Sequence, residues 1–494
     1  AYPKFGVTGR FKQFSDLGKP IRFPDLPEVA PVDIFEKGLD FRFKPDQGKL
    51  EPVSGNSEFG LAFDAAGNRF TSWNNKHIEH VAIQYPYLAR NPHLVIDSDR
   101  HAPSDHGEAS RVYPISTAPH RTETRATRLM SELNHFTSAC GQSVYTGGGF
   151  PSDYQGAYFI TEPVHNLVHA DRLISDGVTF VARRLEEERD FLASTDSWFM
   201  PVNTTTGPDG ALYVVDFYRK VVEHPEFVRE EFMHDRELFY SGTDRGRIYR
   251  IVHESQETDP RPRLDQATSK ELVNHLSHRN RWWRITAQRL LVERQDQSVA
   301  PLLGALASEA ETAKGRMHAL WTLEGLGALN AQLVLGALED PSPLVREQAI
   351  RLSEAYTAEE RIIGKLVNMH DDENPRVEFQ LACSLGEVAA DLAFEALSAI
   401  AFRHMDNQWF QTAVLTAITG NGVRWLESVQ AWSQDHPTDD QLLVFLKRIA
   451  GVIGARQREG EVAGALKIAL GQLQRGSGEA SPVVLEGLNE GLNR

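Results

Sequence analysis

Cysteine is the first scarcity: the 494-residue chain has two, Cys140 and Cys383. Neither sits in a C-x-x-C or C-x-x-C-H run, which excludes an attached c-type haem and a thiolate zinc site. No stretch reaches the roughly 18–20 consecutive apolar residues of a membrane span. Basic runs are missing as well. With 68 acids against 52 bases the net charge is −16, so a nucleic-acid backbone, which needs a basic stripe, is not the expected partner. There is no Gly-rich phosphate loop and no Gly-x-Ser-x-Gly elbow, which removes nucleotide-dependent enzymes and the usual serine hydrolases. The chain opens on Ala1 without a Met or an apolar leader, and a processed or truncated product is expected.

At this length one core does not suffice, and two or more domains follow. Residues 1–252 read as strands. Val32–Phe35, Leu61–Phe63, Arg69–Trp73, Tyr158–Thr161, Leu212–Val215 and Arg247–Val252 are short β-branched or aromatic runs between Gly, Pro, Asn and Asp. One pattern recurs: Phe59–Trp73 is strand, Asp-x-x-Gly turn, strand, and Thr204–Asp216 repeats it with an Asp-Gly turn. Repeated hairpins of this kind are the sequence form of β-propeller blades. At roughly 40–60 residues per blade this part holds about four blades, so an incomplete propeller is predicted, with further blades before Ala1.

After a polar linker, residues 253–266, the period becomes helical. Arg284, Arg316, Arg346 and Arg376 each fall in an amphipathic segment, and a second apolar segment lies between each pair. A period near 30 with two helices predicts an α-α superhelix of HEAT-like, armadillo-type repeats over residues 267–475. Residues 476–494 read as a Gly/Ser-bearing tail. Trp282, Trp283, Trp321 and Trp409 fall at core-facing spacing.

Several segments resemble one family: Gly60–Phe70, Leu88–His93, Gly107–Ile115, Phe136–Gly141, Pro201–Pro225, Gly246–Ile251 and Trp282–Arg294. They look like the large membrane-bound dehydrogenases of planctomycetes and related bacteria. In that family a six-bladed propeller of the glucose/sorbosone dehydrogenase type precedes HEAT repeats, often with a cytochrome c domain. The resemblance implies a periplasmic or extracytoplasmic location, a sugar-like substrate and a cytochrome as possible electron acceptor. The chain departs from the family where cysteines are expected: Ile160 or Thr161 and Ser72 stand there, and no haem domain is present.

Candidate chemistry comes from the blade geometry. Residues flanking the two innermost strands of a blade converge on one rim. That groups Asn203 with Asp216, and Asn56 and Glu58 with Asn74 and Asn75, while Glu162 joins from a third blade. Glu58, Glu162, Asn203 and Asp216 are oxygen donors suited to Ca2+, or to sugar hydroxyls; strand capping is the alternative for each. His224 and His135 are the general-base candidates. Arg219 could hold an oxyanion or a quinone carboxylate, beside Asn74 and Asn75 as cofactor contacts. Arg245 and Arg247 read as partners of Asp244 or as residues that close the ring. Asp97–Glu108 places acids at positions 1, 3, 9 and 12 of an EF-hand-like loop but lacks the central Gly and helical flanks. His77/His80 and His165/His169 are candidate metal pairs; on an extended strand the spacing of four puts His165 and His169 about 13 Å apart, too far for one ion.

Three functions are therefore expected in competition. The first is a sugar or polyol oxidoreductase using pyrroloquinoline quinone and Ca2+, with the HEAT repeats docking a protein. The second is a non-catalytic carbohydrate- or protein-binding scaffold. The third is a Ca2+-dependent lactonase-like hydrolase.

Overall fold

A computed structural model describes residues 7–10, 20–32, 39–44, 48–116, 134–221, 234–254, 259–436, 440–474 and 480–494. It combines antiparallel sheets with a helical repeat-like stretch. Two compact units result. The first comprises Ala1–Val81 and Arg100–Ala328, and the second Ala82–Asp99 and Leu329–Arg494. The division therefore falls inside the helical region, and not at the polar linker.

Four sheets form among the described residues of the first unit. β1 (Val7–Arg10), β2 (Asp40–Lys44) and β3 (Lys49–Val53) make one. β4 (Leu61–Phe63), β5 (Arg69–Thr71), β6 (Glu79–Val81) and β7 (Arg100–His101) make the second. The third is β8 (Cys140–Val144), β9 (Tyr158–Glu162), β10 (Leu167–Asp176), β11 (Thr179–Arg184) and β12 (Leu192–Ala193). The last is β13 (Pro201–Thr206), β14 (Leu212–Asp216) and β15 (Arg247–Ile251). The two hairpins expected from sequence are present. Asp64 Oδ1 accepts from the amides of Ala66 and Asn68, both at 2.9 Å, which shapes the β4–β5 turn. Asp209 Oδ1 does the same for Ala211 at 3.2 Å between β13 and β14.

The first strands of three sheets, β4, β8 and β13, lie side by side. Gly141 permits this, because a Cβ there would run into the Val202 carbonyl of β13. A core shared by the second and third sheets buries Phe70, Phe136, Tyr158, Ile160, Leu167 and Phe180. The helices of this unit are α1's successors in the chain: with α1 (Tyr85–Ala89) assigned to the second unit, the first holds α2 (Arg236–Tyr240), α3 (Ser269–His275), α4 (Arg281–Arg294), α5 (Ala300–Glu309) and α6 (Ala313–Gly325). Helix α4 seats against the β13–β14 turn. Asn280 caps it through Trp282 N at 2.9 Å and donates to Gly207 and Pro208, while Trp283 Nε1 donates to Pro208 O at 2.7 Å. A cavity of about 330 Å3 lies among β4, β8, β13 and the start of α4, lined by Gln142, Ser143, Asn203, Thr204, Arg281 and Trp282 among others.

The second unit holds α7 (Ala331–Ala337), α8 (Pro343–Ser353), α9 (Glu360–Val367), α10 (Pro375–Ser384), α11 (Ala390–Arg403), α12 (Gln408–Thr416), α13 (Gly422–Trp432), α14 (Asp440–Arg456), α15 (Glu459–Gln474) and α16 (Ala480–Leu492). Helices α8, α10, α12 and α14 pack in succession, as do α7, α9 and α11, giving two layers. Residues 480–492, expected as tail, are a helix. Its Gly487 and Gly491 press directly on the backbone of α14, at Lys447 and Gly451, so small residues that read as fraying instead allow close packing. Helix α1 also packs here, against α12. Arg90 donates to Cys383 O at 2.5 Å, and Asn91 Nδ2 to Leu415 O and Ile418 O at 2.8 and 3.2 Å. The Leu88–His93 motif thus satisfies carbonyls at the C-terminal ends of α10 and α12, where a cation is electrostatically favoured.

Candidate metal centre

Strand β10 is buried from Leu167 to Asp171, and its period of two puts His169 and Asp171 on one face. Two loops of the second sheet bring imidazoles to the same place. His77 lies two residues before the start of β6, and His106 follows β7. His169 Nε2 lies 2.9 Å from Asp171 Oδ1, and His77 Nε2 lies 3.0 Å from Asp171 Oδ2. His106 Nε2 is 3.7 Å from Oδ1. One ligand atom from each of the four residues falls within 4.8 Å of all the others. Phe136 stacks on His77 at 4.5 Å and meets His169 edge-on at 5.3 Å, closing the site on its apolar side.

The far nitrogens of two imidazoles are also held. His169 Nδ1 is 2.7 Å from Asp190 Oδ1, and His106 Nδ1 is 3.0 Å from Asp105 Oδ1. Carboxylates on Nδ1 fix the tautomer that presents a bare Nε2 and raise its basicity. Asp190 is itself fixed by the Tyr113 amide at 2.6 Å.

Charge is unevenly shared without a metal. Burial brings His77 down to about 4, against the pull of Asp171. His106 is also lowered by burial. In His169 burial is outweighed by Asp171 and Asp190, which raise it to about 9. Burial opposes ionisation of Asp171, but His169 and His77 hold it well below the usual carboxylate range. His106 Nε2 is buried without a hydrogen-bond partner, a loss of about 1–3 kcal/mol for such an atom. A tetrahedral ion with ligands at about 2.0–2.2 Å would set their edges near 3.3 Å. The imidazole separations from Asp171, 2.9 and 3.7 Å to Oδ1 and 3.0 Å to Oδ2, lie either side of that value. Three imidazoles and a carboxylate suit Zn2+ or a neighbouring first-row divalent ion.

Residues 32–255, which contain all four side chains, match the model of a domain of unknown function (DUF7133). No curated protein matches the chain. Solved structures that match include the complex of CpcE and CpcF of phycocyanin lyase from Nostoc sp. PCC7120. It covers 49% of this chain and 100% of its own, at 17% identity and a TM-score of 0.25.

The residues singled out from sequence have other surroundings. Asn74 Nδ2 donates to Glu58 at 3.1 Å, so these two do meet. The Asn75 carbonyl accepts from Ala109 at 2.7 Å. Glu162 is fully buried, and its oxygens take the amides of Thr137 and Ser138, the Ser138 hydroxyl and His165 Nδ1. Asp216 Oδ1 accepts from Met200 and Tyr218 at 2.9 and 2.8 Å. Asn203 is exposed on β13 and lines the cavity. Among the described residues, no cluster of metal-ligating side chains includes Glu58, Glu162 or Asp216. His135 bridges to Arg111 through its backbone. Arg219 lies over the Phe217 ring at 4.3 Å and donates to the carbonyls of Phe217, Tyr218 and Gly242. Arg245 pairs with Asp244 at 3.7 Å, whereas Arg247 covers the Tyr218 ring at 3.7 Å and lies 4.0 Å from Asp216. His224 lies outside the described residues.

The acids of the EF-hand-like loop are divided among partners: Glu108 pairs with Lys76, and Asp105 with His106 and Arg183. The two histidine pairs also come apart. His165 closes a short turn, Pro163–His165, and holds Glu162, while His169 belongs to the centre. His80 packs between Phe70 and Phe180. The readable signal was His169-x-Asp171: two polar residues on one face of a strand too apolar to be exposed.

Proposed function

We propose that this chain is a binding scaffold whose sheet unit is held together by a divalent transition-metal ion, Zn2+ by its ligand chemistry. The observation that carries the reading is the convergence of His77, His106 and His169 on Asp171, with Asp105 and Asp190 behind two of the imidazoles. The ligands come from two sheets, β4–β7 and β8–β12, so the ion would cross-link them. Four protein donors complete a tetrahedral shell, the form of a structural and not a catalytic site. We read the sheets as propeller blades, supported by the neighbouring first strands β4, β8 and β13, and the helices as HEAT-type repeats for docking a protein partner.

Metal analysis of protein purified without chelator tests the reading. About one equivalent of zinc or a similar ion is expected, and its removal should lower the melting temperature by on the order of 10 °C. Protein free of metal that takes up none when Zn2+ is offered, with no thermal response, would sink it.

The cavity favours a second reading, a sugar or polyol oxidoreductase. Its volume of about 330 Å3 and its lining of Gln142, Ser143, Thr204 and Arg281 suit a small hydroxylated ligand. Glu58, Glu162 and Asp216 fall in no common metal-ligating cluster among the described residues, so no step is assigned to Ca2+ or a quinone. Dye reduction over a sugar panel, with quinone and Ca2+ supplied, separates the readings: turnover favours the enzyme, and its absence the scaffold.

A further inference from the structure

Two arginines of the helical ladder, Arg346 and Arg284, sit four residues after their helix caps but differ in their acid partners. Arg346, in α8, shows the complete form. Its Nη1 donates to the carbonyls of Asp340 and Pro341, at 2.9 and 3.2 Å. Its Nε and Nη2 grip the two oxygens of Asp372 at 2.7 and 2.8 Å. Asp372 stands two residues before Asn374, the cap of the next ladder helix, α10, and accepts that residue's amide at 3.0 Å. Asp340 holds the same relation to Ser342, the cap of α8, at 2.8 Å.

Arg284, in α4, repeats half of this. Its Nη1 donates to His278 O and Arg279 O at 2.6 and 2.8 Å. Its Nε and Nη2 are buried with no hydrogen-bond partner. The next ladder helix, α6, is capped by Thr312, and two residues before it stands Ala310. The carbonyl of Ala310 accepts from Arg316 Nη1 at 2.7 Å, as that of Asp340 accepts from Arg346. Ala310 is therefore at the acid's position but carries no acid.

The surroundings are cationic and under-partnered. Arg284 is 1% exposed, and burial followed by the charge of Arg281 brings it down to about 10. One turn on, Gln288 Nε2 is buried without a partner; so is His318 Nε2, on α6, whose Nδ1 meets Gln288 Oε1 at 2.9 Å. His318 is held well below its ordinary value by burial and then by Arg284, with Arg281 and Lys314 adding to it. Asp64 reaches Arg281 and Lys314 electrostatically. Its oxygens, though, are taken by the amides of Ala66 and Asn68 and by the Asn68 side chain. A buried guanidinium edge with two parallel N–H groups and no acceptor is costly and matches a carboxylate in geometry.

We propose that Arg284, with Gln288 and His318 beside it, forms a binding site for the carboxylate of a small organic acid, which takes the place that Asp372 fills for Arg346. Calorimetric titration of the full chain with acetate and malonate, against chloride at equal ionic strength and against inorganic phosphate, tests this. Saturable carboxylate binding is expected, with a melting temperature that rises with carboxylate concentration. The variant Ala310→Asp supplies the missing acid from the chain. It should melt higher than the parent in carboxylate-free buffer and lose at least tenfold in carboxylate affinity. Phosphate binding without carboxylate binding overturns the ligand class. Undiminished carboxylate binding by Ala310→Asp overturns the location. No saturable binding of any anion, with no stabilisation by Ala310→Asp, overturns the site altogether.

Discussion

Single side chains decide how the proposed metal would be held. Asp190 is 8% exposed and grips His169 Nδ1, whereas Asp105 is exposed and grips His106 Nδ1. An oriented, buried carboxylate contributes more to an imidazole ligand than a solvated one. Asp190→Asn should therefore weaken Zn2+ binding about 10–100-fold, and Asp105→Asn less, measured by competition with a chromophoric chelator. Equal affinity in both variants and the parent would show that these imidazoles do not hold the ion. At this scale the sequence was only partly legible. Glu58 and Asn74 were grouped and do meet, but His77, His106 and Asp171 are separated by 29 and 65 positions (106 − 77 and 171 − 106). Spacing along a strand says nothing about partners that arrive from different loops.

The helical elements show how buried polar groups order a repeat. Glu354, after α8, is half-buried; it accepts from Tyr87 Oη at 2.7 Å and Ser384 Oγ at 2.5 Å. Burial raises its pKa despite those hydrogen bonds. A carboxyl raised in the folded state binds its proton more tightly there than when unfolded. Its contribution is therefore fully present below the unfolded value near 4.5 and declines as pH rises through the folded value. Glu354→Gln keeps the acceptor and removes the charge. The melting temperature of the variant relative to the parent should rise from pH 5 to pH 8; a constant difference would mean that Glu354 does not titrate in this range. The ladder itself was readable as Arg284, Arg316, Arg346 and Arg376, yet helix caps resolve it better. Asn280, Thr312, Ser342 and Asn374 mark the starts. Arg376 sits two residues nearer its cap than Arg346 does, and Glu378 takes the ladder position. Side-chain chemistry alone hid that shift.

For the whole molecule, two compact units imply two unfolding events that need not move together. The proposed ion belongs to the first unit only. Calorimetry with and without chelator should show one transition falling while the other keeps its midpoint. A common shift of both would mean that the units unfold as one or that the ion lies elsewhere. The boundary between units was not legible in the sequence. The polar linker marks where strand gives way to helix, but helices α3–α6 cluster with the sheets, and residues 82–99 with the later helices.

What the sequence determined by itself was local: strand hairpins from Asp-Gly turn chemistry, and a two-helix period from recurring apolar faces. It also excluded thiolate metal sites and membrane-spanning apolar runs, since those depend on composition and contiguous stretches. Tertiary structure decided everything that needs distant segments to meet. It gathered three histidines on one aspartate, gave the Leu88–His93 motif helix ends to cap, and left Arg284 without the acid that Arg346 has. Hydrogen bonds and Coulomb forces act over a few ångströms of space, and chain order fixes that distance only within a turn of helix or a hairpin.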